Sequence, residues 1–192
     1  MTQTNATPEL PLHLRLPAFR IDYAAGQFAN SQSGEIEQSL TGVILAYRED
    51  RALWPNLNDP NPTPVCVNGS KFGPCYTCPH LTWGRDGSPP TCTPELTILL
   101  QLTEGSVATL TARRSMMRPI DQYLNMCSLL GTELHAQRVT LSLTPNVSEI
   151  QGQPPFHSLR LMPGEYVERA ELERLAVIAG KVGDQFTNGA LS

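Results

Sequence analysis

The stretch ELTILLQLTEGSVATLTARRSMMRPIDQYLNMCSLLG, residues 95–131, decides the fold. ELTILLQL (95–102) and VATLTAR (107–113) carry the apolar and β-branched residues of strands, and Thr103-Glu104-Gly105-Ser106 between them reads as a hairpin turn. Ser115 and Pro119 are helix start signals. Ile120, Leu124, Cys127 and Leu130 then recur at helical spacing, and Gly131 stands where a C-terminal cap belongs. Cys127 is therefore expected in the core.

Toward the carboxyl end, Gln137–Leu143 and Phe156–Met162 alternate as two more strands, through Val139, Leu141 and Leu143 and through Leu159 and Leu161. A final helix is expected from about Glu165 to Phe186, within residues 163–187. It presents Tyr166, Leu172, Leu175, Ile178 and Val182, with Glu165, Glu168, Glu171 and Glu173 near its positive end. Toward the amino end, EIEQSLTGVILAY (35–47) reads as a bent central strand with Gly42 at a bulge, and REDRALWPNLNDPNPTP (48–64) as a loop. Residues 12–16 and 19–23 alternate loosely before the Gly- and Ser-rich run 26–34, so the amino end reads as one peripheral strand. The element order, mainly β with helices, predicts a small OB-like Greek-key barrel with one helix between strands. A mixed α+β sandwich is the alternative.

At 192 residues, 40% hydrophobic and 17% charged, the chain suits a single domain over 1–192 rather than two independent cores. Seventeen prolines and 14 glycines argue against a coiled coil. No apolar run approaches the roughly 18 residues of a membrane span, and MTQTNATPELP lacks the order of a signal peptide. The reading is cytoplasmic, with no membrane partner. A net charge of −4 confines any nucleic-acid binding to a local basic groove.

Four of the five cysteines, Cys66, Cys75, Cys78 and Cys92, fall in one 27-residue window with the spacing C-x8-C-x2-C-x13-C. A C-x2-C pair lets a tight turn aim two thiolates at one tetrahedral zinc. The surrounding Gly, Pro, Asn and Ser residues cannot bury a core, so a structural Zn2+ is the natural source of order for an inserted subdomain at 55–94. Two disulfides or a redox-active CYTC are the competing readings, and His80 is a reserve ligand. Four thiolates leave no open coordination position for hydrolysis.

The segments YREDRALWP (47–55), Pro64-x-Cys66, Cys75-x2-Cys78-Pro79, Trp83-Gly84, Cys92 and the strand after it resemble a group of uncharacterised proteins encoded by bacteriophages and mobile elements. Ser115, Pro119, Tyr123 and Leu124 continue the likeness, which covers roughly residues 40–162. The group brings no activity with it. In architecture it is similar to phage single-stranded DNA-binding proteins, whose OB-fold carries a zinc subdomain. That similarity implies a bacterial host cell and replication or recombination proteins as partners. Those proteins include a His among the zinc ligands, whereas this chain offers four Cys.

Single-strand binding needs cations along the backbone and flat rings for bases. Arg48, Arg51 and Trp54 leave the central strand; Lys71, Phe72, Tyr76, Trp83 and Arg85 lie in the cysteine loop; Arg113, Arg114 and Arg118 lead into the helix. The plainer reading is that both tryptophans seal the loop against the barrel. No catalytic set emerges: His13, His80, His135 and His157 lack ligand or nucleophile spacing, and no glycine-rich phosphate loop is present. The chain is read as a non-enzyme, a single-stranded nucleic-acid binder, with a non-catalytic interaction adaptor as the alternative.

Overall fold

A computed structural model describes residues 16–55, 64–146 and 156–187. Apart from Leu16, the alternation expected at 12–16 lies outside the described residues, as do 56–63 of the cysteine subdomain and His13. The described residues are mainly β, with two α-helices. Its strands are β1 Ala18–Asp22, β2 Gln27–Asn30, β3 Ile36–Glu37, β4 Ser39–Leu53, β5 Cys66–Val67, β6 Cys92–Leu102, β7 Val107–Arg113, β8 Gln137–Asn146 and β9 Phe156–Tyr166; the helices are α1 Met117–Leu130 and α2 Arg169–Thr187. One curled, half-barrel sheet runs in the order β3-β2-β1-β7-β6-β4-β8-β9, with β5 added to the end of β4. All pairings are antiparallel except β1 with β7.

β4 organises the sheet because it is long enough to pair with β6 along most of its length and with β8 at its start. Its bulge falls at Leu45, where the register slips between Ile44 and Ala46, and not at the expected Gly42. Gly42 serves close approach: a Cβ there would lie 2.1 Å from the Gln101 carbonyl oxygen. The extra residue leaves both Leu45 and Ala46 on the face that carries Val43 and Leu99, where α2 docks through Leu175, Val182 and Phe186. On the opposite face Ile44, Leu96, Ile98, Leu100 and Leu110 pack with Ile120, Tyr123, Leu124 and Cys127 of α1.

Four further expectations change. The amino end is not peripheral: β1 and β2 place Phe19, Ile21 and Phe28 in the core, and burying a side chain such as Phe28 contributes about 1.5–3 kcal/mol. The loop expected from residue 48 begins only after Leu53, since β4 continues through Arg48–Leu53. α2 starts at Arg169 instead of 165, because residues 163–166 still pair with β8 through Val139↔Pro163 and Gln137↔Tyr166. Ser115 makes no cap bond and sits in a 3-10 turn, 114–116, ahead of α1, whereas Gly131 caps it with φ 62°. No helix among the described residues is long and apolar enough to cross a membrane.

Candidate functional site

The cysteine loop leaves the sheet between β4 and β6. Cys66 in β5 and Cys92 in β6 stand opposite the same residue, Leu53, from its two sides. Two strand spacings, roughly 10 Å, separate their backbones. Cys75 opens a 3-10 turn at 75–77, and Cys78 precedes another at 79–81. All four thiols are free, with Cys66 and Cys92 buried and Cys75 and Cys78 half-buried. They share one electrostatic neighbourhood: burial first, then the charges of Cys75, Cys78 and Cys66, push the Cys92 thiol up, while Arg51 pulls it down. Cys66 is held low by hydrogen bonds, first from the Lys71 N–H at 3.4 Å. This donor set has the chemistry of a zinc site. Among the described residues no group of three or more His, Cys, Asp or Glu is drawn into metal-holding geometry. The Nδ1 of His80 lies 3.1 Å from Thr91 Oγ1, and its ring rests against Phe72.

A polar chain fastens this loop to the sheet. Asn68, in the left-handed region at φ 46°, donates from Nδ2 to the buried Asp50 Oδ1 at 2.6 Å and accepts the Arg51 N–H at 2.8 Å. Asp50 Oδ2 accepts from Arg48 Nε, and Arg48 Nη1 donates to the Phe186 carbonyl while its guanidinium lies over the Phe186 ring. Arg48 thereby belongs to the α2 contact.

Beside the loop, a cavity of about 610 Å³ lies among the end of β4, the return of the loop into β6, the end of β7, the start of β9 and the β1–β2 turn. Trp54, Arg113 and Arg114 line it, together with Tyr23, Phe156 and His157. Trp54 Nε1 donates to Glu95 Oε1 at 2.6 Å, and the Arg113 guanidinium lies 3.3 Å from the Trp54 ring centre. Arg113 Nε is 2.5 Å from the same Glu95 oxygen, an ion-pair contact without hydrogen-bond direction. Burial pushes the Glu95 carboxyl up, against the pull of Arg113 and of the Trp54 N–H. Arg114 is exposed and holds φ at 52°, a region that is costly for a residue with a Cβ. Tyr23 and Phe156 remain 41% and 50% exposed at the opening.

The candidates therefore divide. Trp54, Arg113 and Arg114 converge on the cavity; Arg51 lies beside the thiols; Lys71, Trp83 and Arg85 are exposed on the loop; Arg118 is exposed in the first turn of α1. Trp83, 68% exposed, does not seal the loop, and Tyr76 is 84% exposed. The sequence reading missed Tyr23, Phe156 and His157. Their signal was a polar-tipped or aromatic residue at a strand end, meaningful only once the strands are neighbours. His157 Nδ1 meets the Tyr23 carbonyl at 3.0 Å, joining the β1–β2 turn to the start of β9. No family model, curated protein or solved structure matches the chain.

Proposed function

We propose that the chain is a single-stranded nucleic-acid-binding protein of the OB type, probing a strand through the cavity and the cysteine loop, with structural Zn2+ on Cys66, Cys75, Cys78 and Cys92. The observation that carries the reading is the convergence of Trp54, Arg113 and Arg114 on one cavity with three further ring side chains. The order β7-β6-β4-β8-β9, with α1 between β7 and β8, supports the OB assignment. In that fold the second and third strands and the loops after the first and fourth form the binding face. Here β6, β7 and the return of the cysteine loop line the cavity through Thr93, Arg113 and Pro89–Thr91, and the start of β9 adds Phe156 and His157.

Cations for the backbone and rings for the bases then come from Arg51, Lys71, Arg85, Arg114 and Arg118 and from the cavity aromatics. The resemblance to phage and mobile-element proteins supports DNA as the strand, replication or recombination proteins as partners and a bacterial cytoplasm as the compartment. The exposed Tyr76 and Trp83 favour, as a second reading, a non-catalytic adaptor whose loop contacts protein. Fluorescence anisotropy with labelled single- and double-stranded oligonucleotides over a salt series separates the two. Salt-sensitive preference for the single strand supports the first; no binding at low ionic strength leaves the adaptor.

A further inference from the structure

Within that strand-binding reading, on which it rests, we propose that the cavity is a single-nucleotide pocket: one unpaired base enters between Tyr23 and Phe156, and Arg114 holds its phosphate. The volume, about 610 Å³, lies in the 300–1,000 Å³ range of pockets that enclose a small molecule. A base still paired in a duplex cannot enter without leaving its stack, so the pocket itself selects single strands.

Three features choose these residues over the more obvious ones. Trp54 is committed, since its N–H is bound by Glu95 and one of its faces is covered by Arg113. Arg113 is committed to the same carboxylate, which leaves Arg114 as the lining cation facing solvent. Tyr23 and Phe156 keep their rings half open at the mouth, and their separation is fixed. His157, next to Phe156 in the chain, bonds the carbonyl of Tyr23 itself and rests on Gly26, where a Cβ would come within 2.4 Å of the imidazole. The two rings are thus carried by one braced unit, which lowers the ordering cost of binding a base. Burial raises the Tyr23 phenol, and of the charges that act on it Arg113 and Arg114 oppose Glu95.

The test uses the full chain with Trp83→Phe, so that emission comes from Trp54 in the pocket wall, titrated with thymidine 5′-monophosphate and, separately, with labelled single-stranded oligonucleotide. Saturable quenching by the mononucleotide is expected. Tyr23→Ala or Phe156→Ala should weaken oligonucleotide binding about 5- to 150-fold, the range for one stacked base, and Tyr23→Phe should restore it. Arg114→Gln should reduce the slope of log K against log salt by about 0.7. If oligonucleotides bind but both alanine variants stay within twofold and the mononucleotide leaves Trp54 unchanged, the pocket is wrong and the strand-binding reading survives. Quenching by the mononucleotide without oligonucleotide binding keeps the pocket and overturns the strand. Neither response overturns both.

Discussion

At the scale of single residues, Glu95 decides what Arg113 is for. One buried carboxylate holds the Trp54 indole and neutralises the Arg113 guanidinium, so the nearest arginine to the cavity wall is already paired. Its carboxyl is raised chiefly by burial. A raised carboxyl contributes its stability below its unfolded value, and that contribution is lost as the pH rises through the folded value. Glu95→Gln still accepts from Trp54 but carries no charge to bury. The melting temperature of Glu95→Gln minus that of the parent should therefore become more positive from pH 4 to pH 8. A difference that falls over this interval would show that Arg113 outweighs burial. The same substitution frees Arg113 for a phosphate, so the salt slope of strand binding should steepen by about 0.7. None of this pairing was legible beforehand: Trp54, Glu95 and Arg113 lie on three segments that only the β4-β6-β7 register brings together.

At the scale of elements, legibility follows burial on one face. β7 was read with its bounds correct, because Ala108, Leu110 and Ala112 alternate with half-exposed partners and no other period fits. The second half of β4 reads as loop because the prolines and Asn/Asp residues of the 48–64 stretch mask the strand character of Arg48–Leu53. Their strand character comes from β6 alongside and from Asn68, 18 residues from its partner Asp50. The cysteine spacing was legible as a cluster because four thiols in a segment without a core need a common cause; that Cys66 and Cys92 flank Leu53 from its two sides was not, since it depends on the pairing of β4 with β5 and β6. For this element, metal analysis of reduced, unchelated protein should find one zinc per chain. Chelation, or Cys75→Ser, should open residues 64–92 to protease while the sheet remains folded. Absence of zinc, or two disulfides by mass spectrometry, would remove the metal from the account. The opposite face offers a second test, because α2 anchors on Leu175, Val182 and the fully buried Phe186. Phe186→Ala should cost about 3–5 kcal/mol in denaturant unfolding and release Arg48 as well. A loss below 1 kcal/mol would mean that α2 is not docked in solution.

At the scale of the whole molecule, a net charge of −4 and strand binding are compatible only if the paired cations are separated from the free ones. Arg48 is paired with Asp50, Arg113 with Glu95 and Arg138 with Glu171, so these neutralise acids of the sheet and of α2. Arg51, Lys71, Arg85, Arg114 and Arg118 are exposed on the loop, the end of β4 and the segment from β7 into α1. These five are the exposed cations of the proposed strand path, and three to five contacts on a single strand give a slope of log K against log salt of about −2 to −3.5. The slope should be insensitive to Arg48→Met, because Arg48 is committed to Asp50 and the Phe186 carbonyl, and should flatten in steps of about 0.7 for Lys71, Arg85 and Arg114 removed one at a time. Aromatic substitutions in the cavity should lower affinity at every salt concentration without changing the slope, because stacking releases no counterions. If Arg48→Met flattens the slope as much as Arg114→Gln does, the strand runs over the α2 face instead, and the cavity beside the cysteine loop is not its path.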